Sequence, residues 1–459
     1  MGRKGFLWLV HLAVSRPTGV DNLIMQTNEE LAVVVKKKRW GQWLWLVLLV
    51  YILILGAYFR FIGLNWDETY HLHPDERFLT MVETSLEPVS SIKDYFDTAT
   101  STLNPNNRGY GFYVYGTLPL FMVRYAAEWT GRVGYDQVHL VGRFLSASFD
   151  LMTTLLVFLI AQNLFKNRTL SLLAAAFAAA SVLPIQLSHY FTVDSFTNFF
   201  VFLAFYFAVK FMMVRQDFQS LPYGSDETMS SGWKKALVSY RDSLILVILF
   251  GAALGMAMAS KVSAAPLAIL LPAAALVRYL QLPPEKRGTS VVVFIRDITL
   301  AAVIAFLTFR IFQPYAFAGP GFFGLGLNQQ WVNNLRELAA QSGGDVDFPP
   351  ALQWARRPLW FAWYNMVAWG LGWPLGLLAW AGFVWMGVKI FRGAWQPYIL
   401  LWGWTAFYFI WQSLNFTRSM RYQLQVYPAL AIIAAWVIIS LWTRTTNETV
   451  KSIWERARV

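Results

Sequence analysis

The sequence predicts an all-α polytopic membrane protein with about ten transmembrane helices. Its 459 residues are 56% hydrophobic and only 14% charged, whereas roughly 25% of the residues of a soluble domain are charged. The 22 Trp, 20 Tyr and 36 Phe exclude a disordered chain, and the absence of Cys excludes disulfides and thiolate chemistry. Because the net charge of +12 is concentrated at the ends of apolar segments, it indicates membrane orientation rather than nucleic-acid binding.

Ten apolar stretches are close to the length that a helix needs to cross ~30 Å of hydrocarbon, about 17–25 residues. In chain order they are Trp43–Ile62, Leu140–Leu164, Leu170–Tyr190, Phe196–Val214, Leu244–Ser260, Ser263–Leu280, Ile298–Phe312, Asn365–Val388, Pro397–Trp411 and Leu424–Trp442. Gly111–Ala127 is also apolar, but counting it as a span would reverse every later loop. We therefore expect it to form a helix on the outer surface of the membrane.

Lys and Arg residues set the orientation, because they are enriched in cytoplasmic loops. One alternate set of loops holds nearly all of them: Lys36, Lys37, Lys38, Arg39, Lys166, Arg168, Arg215, Lys234, Lys235, Arg241, Lys286, Arg287, Lys389, Arg392, Arg444, Arg456 and Arg458. The opposite short turns carry only Lys261, Arg418 and Arg421. These counts predict an integral plasma-membrane protein with both termini in the cytoplasm.

The same map divides the chain into three parts. Residues 1–39 form a cytoplasmic N-terminal segment, residues 40–443 a transmembrane domain, and residues 444–459 a cytoplasmic tail. Two outer loops, 63–139 and 314–364, are much longer than ordinary connections, and loops of that length are usually functional.

Acidic residues and histidines crowd the first outer loop just beyond the first span. They are Asp67, Glu68, His71, His73, Asp75 and Glu76. Pro74 suits the first position of a helix, and Phe78, Leu79, Val82 and Leu86 then recur on one face, which predicts an amphipathic helix beside the membrane. Its two acids either complement the helix dipole or serve chemistry. The density of carboxylates beside lipid, where charge is costly, favours chemistry.

Further polar residues follow other spans on the same predicted side. They are His189 and Asp194 in one turn, Lys261 in the next, Arg357 in the second long loop, and Arg418, Arg421 and Tyr422 before the last span. Some of these features have a structural alternative. Asp194 could cap a helix, Lys261 could be a snorkelling side chain, and the tryptophans around Arg357 could form an aromatic belt. Together, carboxylates and cations at one membrane face fit group transfer from a lipid-phosphate donor.

Several segments resemble the GT-C superfamily of integral-membrane glycosyltransferases, which includes protein O-mannosyltransferases, lipid A aminoarabinose transferases and GPI mannosyltransferases. "HPDERFLTMVE" resembles their acidic motif, "YGTLPLFMVRY" their second juxtamembrane helix, and "VGRFLSASFDLMTTLLVF" their second span with its leading Arg143. "SHYFTVDSFTNFFVFLAFY" resembles their next outer turn, with Asp194 as its acid, and "GMAMASKVSAA" and "RYQLQVYPALAIIAA" also match. The resemblance covers residues 43 to 443, and it implies a GT-C fold with juxtamembrane helices in the first outer loop.

The resemblance implies an inverting glycosyltransferase that moves one sugar from a polyprenyl-phosphate donor to a hydroxyl acceptor at the outer membrane face. Asp75 is the expected base, Glu76 and Asp194 orient acceptor or base, and Lys261, Arg421 and Arg357 stabilise the phosphate. The other expected substrate-binding residues are Asp67, Glu68, His73, Arg143, His189, Arg418 and Tyr422. Two acidic pairs, "NWDE" and "HPDE", leave it open which one holds the base.

We expect no cofactor and no bound metal, although His71, His73, Asp75 and Glu76 are residue types that bind divalent ions. The expected partners are the polyprenyl-phosphate sugar, a lipid, glycan or protein hydroxyl acceptor, and membrane lipids, but no nucleic acid. The alternative function is a flippase or transporter of a lipid-linked or anionic substrate. Transporters place their charges near the bilayer midplane within repeated halves, and this sequence has neither feature. A scaffolding subunit is a third alternative, but it would have no evident need for an acidic outer loop.

Overall fold

The computed structural model describes residues 43–214 and 226–456. The predicted N-terminal segment 1–39 lies outside these residues, as do residues 215–225 of a predicted cytoplasmic loop and residues 457–459 of the predicted tail. The chain divides at Ile52 into two compact units, and the charged clusters and the cavity described below lie in the second, Ile52–Val459. Within the described ranges the protein is α-helical, and its one β-type pairing is an isolated bridge between Phe317 and Leu327.

The described residues of the first half of the chain, 43–214, contain eight α-helices. They are α1 (Trp43–Phe61), α2 (Pro74–Ser85), α3 (Ile92–Tyr95), α4 (Thr117–Thr130), α5 (Tyr135–Phe165), α6 (Arg168–Ala180), α7 (Val182–Ser188) and α8 (Asp194–Met213). A short 3-10 helix, Pro105–Arg108, lies between α3 and α4.

The second half continues with nine more. They are α9 (Asp226–Ser260), α10 (Leu270–Gln281), α11 (Pro284–Phe312), α12 (Gln329–Gly343), α13 (Pro349–Leu352), α14 (Phe361–Asn365), α15 (Trp373–Phe391), α16 (Ile399–Leu414) and α17 (Tyr427–Arg456). Three 3-10 helices, Val262–Ile269, Pro314–Ala316 and Met420–Val426, and a π-helical turn, Met366–Gly370, join some of these elements.

Eight helices in the described part of the chain are long and apolar enough to cross a membrane, or nine if the bent pair α6 and α7 forms one span. They correspond to nine of the ten predicted spans. The tenth prediction, Pro397–Trp411, corresponds to α16, which has 16 residues. At 1.5 Å per residue this helix is about 24 Å long, shorter than the ~30 Å hydrocarbon layer. The helix α4 has 14 residues, about 21 Å at 1.5 Å per residue, which agrees with the prediction that Gly111–Ala127 does not span the membrane.

The break between α6 and α7 lies at Ser181, which ends one helix and begins the other. Its backbone is extended, with φ −66° and ψ 123°, and the two helices meet at 54°. Pro184 lies in the first turn of α7, where its missing N–H costs nothing because those N–H groups have no partner inside the helix. The bend directs α7 toward the turn that precedes Asp194.

The bundle packs most closely where its helices carry small residues. Gly251 and Gly255 lie one turn apart on α9, and a Cβ atom at either position would lie 2.5 Å from a backbone oxygen of α11, at Ala301 or Ala305. Only glycine therefore permits this approach, as in the small-residue helix pairs of membrane proteins. The helix α8 is largely buried, with Phe202 and Phe205 almost fully enclosed, and its partly exposed residues Phe199, Leu203, Tyr206 and Lys210 lie along one face.

The helix α2 begins at Pro74, as the sequence predicts. His73 caps it, because its Nδ1 accepts a hydrogen bond from the backbone N–H of Glu76 at 3.3 Å. The predicted apolar residues Leu79 and Val82 are buried, but Glu76 is buried with them. Glu76 is therefore not a solvent-exposed acid that only interacts with the helix dipole.

Candidate active site

Arg143 joins the two acidic pairs of the first long loop inside the protein. Its guanidinium donates to Asp67 Oδ1 at 2.9 Å and Oδ2 at 2.8 Å, and to both Glu76 carboxylate oxygens at 2.7 Å. The side chains of all three residues are 0% exposed. The backbone N–H of Phe191 also donates to Glu76 Oε1, at 2.8 Å. Arg143, Asp67 and Glu76, here called the arginine clasp, thus tie the loop and the start of α2 to α5.

The clasp keeps Asp67 in its charged form. Burial raises the pKa of the Asp67 carboxyl, but the hydrogen bond and the positive charge of Arg143 outweigh burial and lower this pKa to about 2. A carboxylate with both oxygens bonded to arginine and no exposed surface has no free position for a substrate hydroxyl. Its geometry is that of a structural ion pair.

A second charged cluster, here called the site cluster, contains Asp75, Asp194, Lys261 and Arg421. Arg421 Nη2 lies 2.6 Å from Asp75 Oδ2, and Arg421 Nε lies 3.2 Å from Asp194 Oδ2. Lys261 Nζ donates to Asp194 Oδ1 at 2.8 Å. Asp194 is 5% exposed, whereas the other three side chains are 25–26% exposed. The cluster is therefore open on the side of Asp75 and the two cations.

Four separate elements bring these side chains together at helix ends. Asp75 lies in the first turn of α2, and Asp194 is the first residue of α8. Lys261 directly follows α9, and Arg421 lies in the 3-10 helix before α17. Because the four segments are far apart in the chain, only the packing of the helices makes them neighbours.

A cavity beside the site cluster extends between α8, α16 and the 3-10 helix before α17. It is lined by Asp194, Thr197, Lys261, Ser263, Tyr408, Gln412, Arg421, Tyr422, Leu424 and Gln425. The Tyr422 ring faces both cations, with Lys261 Nζ at 5.0 Å and Arg421 Cζ at 5.9 Å from its centre, which stabilises their charges. Two cations, hydroxyls and amides around one cavity suit an anionic ligand.

Tyr115 is a member of this site that sequence reasoning missed. Its hydroxyl lies close to the Asp75 side chain. Burial first, and then the charge of Asp75, raise the pKa of Tyr115, so the hydroxyl keeps its proton. The adjacent Gly116 N–H donates to the Ser260 carbonyl at 3.1 Å, and a Cβ atom there would lie 2.1 Å from the Ala259 carbonyl oxygen. Tyr115 is thus anchored at the end of α9. The Tyr–Gly pair inside the apolar segment Gly111–Ala127 is the signal that could have indicated it.

The two predicted histidines hold backbone segments around the cluster. The His73 ring stacks on Tyr190 at 4.3 Å, and burial lowers its pKa more than the nearby carboxylates raise it. His189 bridges two chain segments, with its Nδ1 2.8 Å from the Ile185 oxygen and its Nε2 2.9 Å from the Ile62 oxygen. Both residues therefore contact protein groups, and the His73 ring is the one that lies near the charges of the site cluster.

Three predicted residues lie apart from the site cluster. Glu68 is exposed on a turn with a left-handed backbone, φ 49°. Arg418 donates to the backbone oxygens of Arg357 and Ser413, and Arg357 donates to Gln353 O and stacks on Phe361. Within the described ranges, none of the three has a hydrogen bond or ion pair to a member of the site cluster.

The residues that the sequence offered as metal ligands have different neighbours. His71 Nε2 lies 3.2 Å from Asp136 Oδ1, and its ring lies against His139. Glu76 bonds to Arg143 and Asp75 to Arg421. Among residues 43–214 and 226–456, no three His, Asp or Glu side chains are grouped as metal ligands would be.

Solved structures with a similar arrangement of helices are oligosaccharide and sugar transferases. The Archaeoglobus fulgidus oligosaccharyltransferase AglB, solved with an inhibitory peptide and a dolichol-phosphate, aligns with 89% of this chain at a TM-score of 0.51 and 13% sequence identity. The chain has the GT-C fold. This confirms the predicted fold class.

ArnT from Cupriavidus metallidurans, another GT-C protein, aligns with 90% of this chain at 15% identity and a TM-score of 0.47. The alignments cover 52% of the oligosaccharyltransferase and 63% of ArnT. The chain thus spans about half the length of the oligosaccharyltransferase.

One sequence family also matches this GT-C chain. The family of dolichyl-phosphate-mannose-protein mannosyltransferases matches residues 116–316, less than half of the chain. The matched part contains Asp194 and Lys261 but neither Asp75 nor Arg421. No curated protein sequence matches the chain.

Proposed function

We propose that this protein is an inverting glycosyltransferase that transfers one sugar from a polyprenyl-phosphate carrier to a hydroxyl acceptor. The observation that carries the proposal is the site cluster, in which a partly exposed carboxylate lies 2.6 Å from one of two cations beside a cavity. The GT-C fold, the match to a mannosyltransferase family and the dolichol-phosphate bound by a structural neighbour support the same class of donor.

Asp75 is the proposed general base. Its carboxylate is 26% exposed, whereas Asp67 and Glu76 are 0% exposed and bonded to Arg143. Since an acceptor hydroxyl must come within hydrogen-bond distance of its base, the exposed carboxylate is the better candidate. The Tyr115 hydroxyl would donate to Asp75 and orient it toward the acceptor.

In the proposed step the acceptor oxygen attacks the anomeric carbon on the side opposite to the phosphate. The new glycosidic C–O bond forms as the bond from the anomeric carbon to the phosphate oxygen breaks, and that oxygen keeps the bonding electrons. The acceptor proton moves to Asp75. Sugar configuration inverts, and the products are the glycosylated acceptor and the polyprenyl phosphate.

Lys261 and Arg421 would hold the phosphate through this step. Negative charge grows on the phosphate as the bond breaks, so preorganised cations stabilise the transition state more than the ground state. Asp194 contacts both cations and would keep them in place. The arginine clasp has a positioning role, because Glu76 is adjacent to Asp75 and its partner Arg143 lies on α5.

The protein is a multi-pass membrane protein, and we assign the site cluster to the outer face. The distribution of Lys and Arg supports this orientation, with both termini in the cytoplasm. We also propose that transfer needs no metal ion, because Lys261 and Arg421 suffice for one phosphate group. A lipid, glycan or protein hydroxyl is the proposed acceptor class.

Purified protein in proteoliposomes, incubated with a panel of polyprenyl-phosphate sugars and hydroxyl acceptors, tests the proposal. We expect consumption of at least one donor, release of polyprenyl phosphate and an inverted product by NMR. The Asp75→Asn variant is the negative control, and Glu68→Gln is the matched acid control. Movement of an intact donor between leaflets without loss of its sugar would contradict the proposal and favour a flippase.

A further inference from the structure

A hairpin follows α11 in the second long loop. Phe317 and Leu327 pair across it as an antiparallel bridge, and the backbone N–H of Asn328 donates to the Ala316 oxygen at 2.9 Å. Residues 317–327, here called the apolar finger, include this pair and the tip between its two members. The finger contains no residue of the site cluster or of the arginine clasp.

The finger lies on the same side of the bundle as the site cluster. The Thr117 hydroxyl donates to the backbone oxygen of Phe312, the last residue of α11. The preceding residue, Gly116, donates to the Ser260 oxygen at the end of α9, directly before Lys261. The end of α11 from which the finger leaves is therefore next to the site cluster.

The base of the finger packs beside the last turns of a membrane span. The Phe317 ring contacts the rings of Phe306 and Phe309, with ring centres 5.8 and 6.0 Å apart. Both belong to the span Ser290–Phe312 of α11, and Phe306 lies about 9 Å before its end at 1.5 Å per residue. Val303 and Phe306, one turn apart, are 49% and 43% exposed, as lipid-facing residues of a span are. The finger thus returns toward the membrane instead of projecting away from it.

Arg310 holds the tip of the finger near the end of this span. The buried Arg310 side chain donates to the Gly321 oxygen at 2.6 Å and to the Phe322 oxygen at 3.0 Å. The backbone N–H of Gly321 donates to the Phe96 oxygen at 3.2 Å. Because unpaired backbone groups are costly in lipid, these bonds allow the tip to enter an apolar layer without that cost for the three groups.

Three side chains of the finger are apolar and exposed. Phe323 is 87% exposed, Leu327 54% and Leu325 44%. The sequence has no charged residue from position 311 to position 335. Large apolar side chains grouped on a surface generally mark an interaction site, and at the edge of a bilayer they would be removed from water.

We propose that the apolar finger is a membrane-binding site, in which Phe323 and Leu325 insert among the acyl chains of the leaflet next to the site cluster. The packing of the finger beside α11, the absence of charge and the bonded backbone of its tip all favour bilayer lipid over a polar partner. This inference goes beyond the proposed function and does not depend on it.

Insertion of the finger also anchors the second long loop against the first. The helix α12 begins two residues after the finger, and its buried Asn334 side chain donates to the Gly111 oxygen at 3.0 Å. Gly111 belongs to the segment that contains Tyr115. The finger therefore fixes to the membrane the helix on which this segment rests.

Depth-dependent fluorescence in this Cys-free chain tests the proposal. Phe323→Cys is labelled with nitrobenzoxadiazole, and the full chain is placed in nanodiscs of phosphatidylethanolamine and phosphatidylglycerol, which leave both membrane faces open to solutes. We expect blue-shifted emission, strong quenching by a lipid with a nitroxide on its acyl chain, and little quenching by iodide in the buffer. None of these signals measures sugar transfer, so this inference and the proposed function can fail independently.

Two other labelled positions give the reference signals. Val303→Cys, on the lipid-facing side of α11, should be quenched by the nitroxide lipid. Asn333→Cys, at an exposed polar position of α12, should be quenched by iodide instead. Phe323→Cys should match Val303→Cys. If it matches Asn333→Cys, the finger lies in water and the proposal is overturned.

Two further outcomes would also overturn the proposal. Blue-shifted emission without nitroxide quenching would mean that protein rather than lipid covers the tip. Lipid-like signals that appear only after polyprenyl phosphate is added would assign the finger to the tail of the donor. Because the nanodiscs contain no polyprenyl lipid at the start, the experiment separates these two sources of hydrocarbon.

Discussion

Arg421 Nη2 lies 2.6 Å from Asp75 Oδ2, and the same guanidinium reaches Asp194 through Nε at 3.2 Å. One arginine thus holds two carboxylates from two different helices. In the proposed reaction the donor phosphate would share Arg421 with Asp75. Donor binding and the freedom of the base are therefore coupled, and this coupling gives the first prediction.

Asp75→Asn should lower turnover at least roughly a hundredfold, because general-base catalysis contributes ~10²–10⁴-fold. Donor affinity should stay equal or rise, since an amide competes less well than a carboxylate for Arg421. Turnover and donor binding are measured separately on the purified variant. Glu68→Gln, which changes an exposed acid of the same loop, should leave both nearly unchanged.

The rival assignment of the base to the first acidic pair has a distinct outcome. Asp67→Asn removes one partner of a buried ion pair, which typically costs about 3–5 kcal/mol of stability. We expect a lower midpoint of unfolding, with the remaining folded enzyme still active. Near-normal turnover in Asp75→Asn, together with loss of turnover in folded Asp67→Asn, would move the base to Asp67.

Lys261→Met should weaken donor binding and lower turnover by about 10²–10³-fold, the usual cost of losing one group that stabilises transition-state charge. Arg418→Met is the matched control, because Arg418 contacts backbone oxygens near Arg357 rather than the site cluster. Its donor affinity should match the wild type. If Arg418→Met abolished donor binding while Lys261→Met retained it, the phosphate would bind elsewhere.

The buried carboxyl of Glu83 should make the free energy of unfolding depend on pH. Burial raises its pKa well above the usual 4.5, more than the charge of Arg124 lowers it. Above pH 4.5 the unfolded chain loses this proton while the folded protein keeps it, so stability falls as pH rises. Between pH 5 and pH 7 the unfolding midpoint should decline less in Glu83→Gln than in the wild type. Glu337→Gln, which changes an exposed acid, should decline as much as the wild type. Identical slopes in all three proteins would contradict the buried, protonated state.

Metal removal should leave sugar transfer unchanged, because the proposed phosphate ligands are Lys261 and Arg421. The measurement is turnover after dialysis against EDTA, with and without added Mg²⁺ or Mn²⁺. Activity that disappears in the chelator and returns with the metal would refute metal independence.

Single cysteines in this Cys-free chain test the orientation. Thr100→Cys, in the first long loop, should react with a membrane-impermeant maleimide in intact cells. Arg392→Cys, directly after α15, should react only after the cells are permeabilised. Both positions are exposed, so a reversed labelling pattern would invert the topology rather than reflect burial.

Local sequence patterns were sufficient to predict the membrane helices and the start of α2. A long apolar segment predicts a membrane helix, because only a helix satisfies its own backbone hydrogen bonds over the thickness of the lipid layer. Pro74 followed by two acids predicts a helix start, because the first N–H groups of a helix have no partner within it. The sequence also identified all four members of the site cluster, because ionisable groups next to apolar spans are rare and costly. These are properties of single segments.

Only the tertiary structure decided how these residues pair. In sequence, Asp67 and Asp75 are equivalent candidates, but α5 presents Arg143 to Asp67 and Glu76, whereas the segment before α17 presents Arg421 to Asp75. The role of Tyr115 likewise depends on packing between distant segments. Ion pairs and hydrogen bonds form only within about 3 Å, and helix packing, rather than local propensity, brings groups from distant segments to that distance.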